Sequence, residues 1–106
     1  MDKWNPFPKK EFLLELYLAE QDLTDEILVF WNKIRISPET WTCEDVIHEN
    51  FWVVAKHQNW IIWYNDVEEG YNLSRYKEEL IILEYGASQD ELVFAVKKLK
   101  TIILSI

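Results

Sequence analysis

Apolar residues along the chain change their spacing twice, dividing it into a helical beginning, a strand-rich middle and a helical end. In PKKEFLLELYLAEQD, Leu13, Leu14, Tyr17 and Leu18 fall on one helical face. Phe12, Leu14, Leu16 and Leu18 also alternate as a strand would. Pro8 suits a first helical turn, however, and strong helix formers follow it, so a helix is predicted. A second helix has Asp22 or Thr24 as its cap, with Leu23, Ile27, Phe30, Trp31 and Ile34 at three- and four-residue spacing and Ser37-Pro38 as its stop. The short connection predicts an antiparallel helix pair.

From Trp41 the period shortens. WTCEDV is a candidate strand. FWVVAK and WIIWYN are stronger ones, separated by His57, Gln58 and Asn59, and read as a hairpin. Phe51, Val53 and Ala55 lie on one face of the first arm and Trp52 and Val54 on the other, so the sheet must be covered on both sides, by this chain or by a partner. LIILEY is a further strand, ended by Gly86. SQDEL then opens a helix, with Ser88 and Glu91 spaced as a capping box and Leu92, Ala95, Val96, Leu99, Ile102 and Ile103 as its apolar stripe. The expected fold is α+β: two N-terminal helices, a three- to four-stranded antiparallel sheet, and a C-terminal helix packed on it.

Length and composition keep this to one domain, residues 1–106: the chain has 106 residues, 49% of them apolar, and six tryptophans, enough for one core. The N-terminal MDKWNPFPKKEF has charges and prolines where a secretory signal needs an apolar run, and no uncharged run approaches a membrane span. A cytoplasmic protein with no membrane association is expected. The single Cys43 fits a reducing compartment.

Charge changes the picture more. The net charge is −8, and residues 65–91 hold eight acids against two bases. Such a field repels phosphate backbones and attracts basic partners, which argues against nucleic-acid binding. Within this block lies YNDVEEGYNLSRY. Gly70 is expected to supply a positive φ for a turn, placing Asp66, Glu68 and Glu69 before it and Tyr71, Asn72 and Tyr76 after it. Tyrosines bury large area with little rotamer loss, and carboxylates orient a basic surface, so these six residues form a candidate partner-binding site. The plainer reading is that Tyr71 and Tyr76 cover the sheet while the acids are solvated. At least one of Trp63 and Tyr64 is expected in the core.

Catalytic chemistry finds little support. His48 and His57 are the two histidines, and His57 falls in the hairpin turn while Cys43 lies in another strand, so no Cys-His pair is predicted. Asp66, Glu68 and Glu69 lack the full ligand pattern of a calcium loop, and neither a phosphate-cradling glycine loop nor a nucleophile elbow occurs. No enzyme activity, metal or cofactor is expected.

The run IWYNDVEEGYNLSRY, preceded by FWNKIRISPETW and FWVVA and followed by EY and QDEL, resembles small proteobacterial proteins associated with immunity to toxins of contact-dependent growth inhibition. The likeness spans Phe30 to Val96. Similar sequences often carry glycines where this chain has Glu49 and Asn50, and a bulkier WCN where it has Gly86, Ala87 and Ser88. The resemblance implies a bacterial antitoxin whose partner is the basic C-terminal toxin domain of a cognate effector, a nuclease in the leading version. An acidic protein neutralises such a domain by occluding its phosphate-binding cleft. The alternatives are an acidic nucleic-acid mimic that inhibits a DNA-binding protein, a small metal-dependent hydrolase using Asp66, Glu68 and Glu69, and a self-associating structural subunit.

Overall fold

The computed structural model describes residues 7–43 and 49–104. His48 and the end of the WTCEDV segment lie outside the described residues. The chain runs α1 (Lys9–Glu20), α2 (Asp25–Ile34), β1 (Arg35–Cys43), β2 (Glu49–His57), β3 (Trp60–Asn65), β4 (Gly70–Arg75), β5 (Ile81–Ile82) and α3 (Leu92–Leu104). This is an α+β fold. Its strands form one sheet in the order β4-β3-β2-β1-β5. Neighbours from β1 to β4 pair antiparallel, whereas β5 lies parallel to β1 through Thr42 with Ile81 and Cys43 with Ile82. The sheet is therefore mixed and five-stranded, not a three- to four-stranded antiparallel one.

Both differences come from pairing across the sheet. β4 is built from GYNLSR, whose Gly, Asn and Ser are poor strand formers, and it forms because β3 offers an apolar neighbour in register from Trp60–Arg75 to Asn65–Gly70. Only two residues of LIILEY are strand. The connection enters the sheet from β4 and pairs with β1 at the opposite edge, and a crossing of that kind delivers β5 parallel.

The N-terminal helices form as expected, with one reversal. α1 buries Phe12 and Leu16, and the face made by Leu13, Leu14, Tyr17 and Leu18 points to solvent at 41–60% exposure. Because the apolar residues of α1 are scattered around its circumference among five charged ones, periodicity cannot choose its inward face. The choice is made by Phe12, stacked on Trp52 with ring centroids 5.6 Å apart. α2 buries Trp31 and Ile34, with Leu23 buried just before it, and half-buries Ile27 and Phe30. It ends at Ile34, ahead of Ser37-Pro38, because β1 begins at once. Pro38 sits at the register irregularity of β1 between Arg35 and Glu39, where a strand tolerates a missing N–H. Instead of lying along one another as a pair, α1 and α2 both lean on α3. Trp31 ties them by donating its indole N–H to Glu20 at 2.7 Å. Among the described residues no helix is long and apolar enough to cross a membrane.

Both sheet faces are covered, each differently. On one face α1, α2 and α3 close over Trp52, Val54, Ala55, Ile62, Tyr64 and Tyr71, Ala55 lying with Trp52 and Val54 instead of with Phe51 and Val53 because the register of β2 shifts between Val53 and Ala55. On the other, Trp41, Cys43, Phe51, Val53, Ile61, Trp63 and Ile82 form a second core, packed by Tyr76 and Tyr85. The cover on that face is the non-helical segment 76–91, which crosses from β4 to β5 and returns to β4, where the Tyr71 N–H donates to the Asp90 carbonyl at 2.8 Å. Trp63 and Tyr64 are both buried, one on each face.

The return leg also cancels the capping box. α3 starts at Leu92, and the Ser88 hydroxyl accepts from the Asp90 N–H at 3.2 Å, four residues ahead of the helix. The stripe of α3 is as read, with Leu92, Ala95, Val96 and Leu99 buried and Ile102 and Ile103 partly so.

Candidate functional site

The candidate site begins with Asn65, the last residue of β3. Its fully buried amide donates to Tyr85 Oη at 3.0 Å and to the Gly86 carbonyl at 2.8 Å, and its oxygen accepts from the N–H groups of Val67 at 3.0 Å and Glu68 at 3.2 Å. That is an Asx-type turn. It fixes residues 66–69 as a tight connection, so the acidic segment is a four-residue turn and Tyr71 and Asn72 belong to a strand.

Gly70 is needed for a reason other than the one its type suggests. The positive φ of the turn falls on Glu69, at 57°, and Gly70 has none. What Gly70 lacks is a Cβ, and one placed there would run into the backbone of Ser88 and Gln89. The return leg thus lies directly on β4. Asn72 and Ser74 complete the seam. Asn72 Oδ1 accepts from the Ser88 N–H at 2.9 Å, and the Ser74 hydroxyl donates to the Glu84 carbonyl at 3.0 Å while accepting from the Trp63 indole at 3.0 Å.

The six residues singled out from the sequence therefore separate. Asp66 and Glu68 are half-buried and Glu69 is exposed, together on the turn. Burial raises the Asp66 carboxyl above its ordinary range, partly offset by a backbone hydrogen bond. Tyr71 is buried on the helical face. Asn72 is buried on the opposite face, its amide engaged by the return leg. Tyr76 is also on that face, edge-on to Trp41 at 5.1 Å, with its hydroxyl directed at Glu79. The two tyrosines do cover the sheet, one per face.

Glu69 and Tyr71 instead join residues the sequence reading missed. Between α1, the β3–β4 turn and the start of α3 lies a cavity of about 230 Å³, lined by Glu15, Asp22, Glu69, Asp90 and Glu91, together with Tyr64, Tyr71 and Leu18. Five carboxylates line it, and among the described residues that line it there is no Lys, Arg or His. Asp90 is held below the usual carboxylate range by hydrogen bonds from Lys98, at 2.8 Å, and from Ser88. Glu15 is pushed up by burial and by the charge of Glu69. Burial and then Glu15, Glu69 and Asp66 push Tyr64 up to about 12. Tyr71 is raised as well, by burial first and then by Glu15. Its hydroxyl is buried and has no hydrogen-bond partner among the described residues. One signal for this cavity was legible: Glu15, Leu18, Ala19 and Asp22 recur at helical spacing along α1 and into the turn after it. Nothing local announced Asp90, which arrives through the 76–91 crossing.

The other candidate chemistry does not come together. Cys43 pairs with Glu49 at the start of β2, and His57 ends that strand, about 25 Å away at about 3.3 Å per residue. Cys43 is fully buried, and His57 is half-buried with its ring 6.3 Å from Phe30. Among the described residues no three His, Cys, Asp or Glu side chains are grouped so as to hold a metal ion. Compared with protein-family models, with curated proteins and with solved structures, the chain matches none.

Proposed function

We propose that this protein is a binding protein that neutralises a basic partner, acting as an immunity protein toward the toxin domain of a delivered effector, with a nuclease as the leading partner class. The observation that carries the reading is the acidic cavity and turn set beside exposed apolar residues. The five carboxylates of the cavity lie next to the outward face of α1, where Leu14, Tyr17 and Leu18 are each more than half exposed. Apolar anchors beside charge of one sign are what a protein interface of opposite charge requires. The resemblance of the IWYNDVEEGYNLSRY run to immunity proteins points the same way. A nuclease cleft is basic because it holds phosphates, so an acidic surface can occupy or overhang it without catalysis.

The test is co-purification from cells that express the neighbouring open reading frames, followed by association kinetics of whatever basic domain is recovered. Under this reading, Glu68→Lys combined with Glu69→Lys leaves the fold intact, slows association at least about tenfold at low salt, and loses most of that effect as salt rises. An association rate indifferent to both charge reversal and salt would remove the electrostatic part of the proposal.

A further inference from the structure

We infer that the open groove between α2 and the end of α3 is where two copies of this chain meet, α2 lying antiparallel against α2 about a two-fold axis that passes between Val29 and Phe30. This pairing goes beyond the reading of the protein as a binder of a basic partner, and it stands or falls independently of that reading.

The groove holds about 720 Å³, and its apolar lining is Val29, Phe30, Ile103 and Leu104. Val29 is 58% exposed and Leu104 70%. Apolar residues scattered singly are ordinary on a surface, whereas here two from each helix adjoin around one groove, the form that marks a contact site. Its charges are balanced. Asp25 and Glu26 stand against Lys33 and Lys100, in a chain whose net charge is −8. Among the described residues none of these four forms an ion pair within the chain. A uniformly basic partner would bring its charge against the two lysines, and a uniformly acidic one against the two carboxylates. The groove therefore requires a partner that carries both signs in matching order.

α2 itself carries them. Glu26, Val29, Phe30 and Lys33 are spaced by three, one and three residues and so share one side of the helix. Read in reverse, the apolar pair keeps its place and the two charges exchange. An antiparallel copy thus sets Glu26 against Lys33 of the second copy and Val29 against its Phe30, and symmetry repeats both contacts, as an isologous interface requires. The two charges lie about 10 Å apart along the helix, with the apolar pair between them, which makes an apolar centre with a charged rim. Ile103 and Leu104 extend that centre on each copy. The acidic cavity lies at the start of α3 and the groove at its end, so pairing leaves both cavities open and one dimer presents two acidic surfaces. A helix of ten residues from each copy makes a small interface, of the kind that associates weakly and reversibly.

The experiment is sedimentation velocity of the full chain over a concentration series. A reversible monomer–dimer equilibrium is expected, with a Kd on the order of 10–100 µM. Val29→Glu, at an exposed position that the fold tolerates, should weaken it at least about tenfold. Glu26→Lys and Lys33→Glu should each weaken it several-fold on their own, the first even though it makes the chain less negative. An equimolar mixture of those two variants should recover the dimer, because every crossing pair is then opposite in sign. Circular dichroism checks that each variant is folded. A chain that stays monomeric up to about 1 mM overturns the inference and leaves the groove to a protein of other sequence. A dimer indifferent to Val29→Glu forms through another surface, and charge variants that do not recover on mixing rule out the antiparallel register. Either result also overturns it.

Discussion

Glu69 and Gly70 exchange the roles that their residue types suggest. The left-handed conformation belongs to the glutamate and the close backbone approach to the glycine. Glu69→Gly should therefore leave stability unchanged or raise it by up to about 1 kcal/mol, by removing a side chain from a φ of 57°. Gly70→Ala should cost at least about 2 kcal/mol, because backbone cannot move aside as a side-chain tip can. Urea denaturation of the two variants decides both signs. Tyr64 makes a separate, pH-dependent contribution. Its hydroxyl is raised from 10 to about 12 in the folded protein, so folding favours the protonated form. That stability is complete below pH 10 and is lost as the pH rises from about 10 to about 12. The loss is on the order of 2 kcal/mol, and Tyr64→Phe should flatten this alkaline limb of the stability profile. At this scale the sequence showed which residues were unusual, but a glycine looks the same whether it is chosen for its φ or for its missing Cβ.

Elements were legible where their pattern had one solution. α2 and α3 each present a single apolar stripe, and the buried residues lie along it. The hairpin of β2 and β3 was visible for the same reason, its turn shortening to Gln58 and Asn59 once His57 pairs with Trp60. α1 had two candidate faces, and only Phe12 stacking on Trp52 separates them. β4 has a weak strand sequence and is held by long-range bonds from Asn72 and Ser74 to residues 84–88, which no local window contains. The outward face of α1 allows a prediction at the same scale. Leu14→Gln combined with Leu18→Gln should change stability by no more than about 1 kcal/mol, since both residues are more than half exposed. The same pair should weaken partner binding at least about tenfold if this face flanks the interface. Light scattering at increasing concentration would show whether the wild-type face also pairs with a second copy and whether the double variant abolishes that.

For the molecule as a whole, part of the acidic block read along the chain becomes acidic ground at one end of the sheet, while Glu79 and Glu84 lie toward the other end beside Lys56 and Arg75. The turn carries Asp66, Glu68 and Glu69, α1 brings Glu15 and the turn after it Asp22, and the crossing segment returns Asp90 and Glu91 beside them. The sequence pointed to the turn and missed the cavity, because three of its walls meet only after residues 76–91 have passed across the sheet and back. That passage has a consequence for chemistry at a distance. Cys43, the chain's single thiol, is fully buried in the core that this segment covers, beside Ile82 in the strand it delivers. Among the described residues that segment is the cover over its core, so the rate of Cys43 modification is a clock for opening of one face while the helices on the other stay closed. If labelling in native buffer is faster than global unfolding, the crossing segment detaches as an independent unit. If the two rates coincide, both cores fail together, and the fold has a single cooperative breaking point.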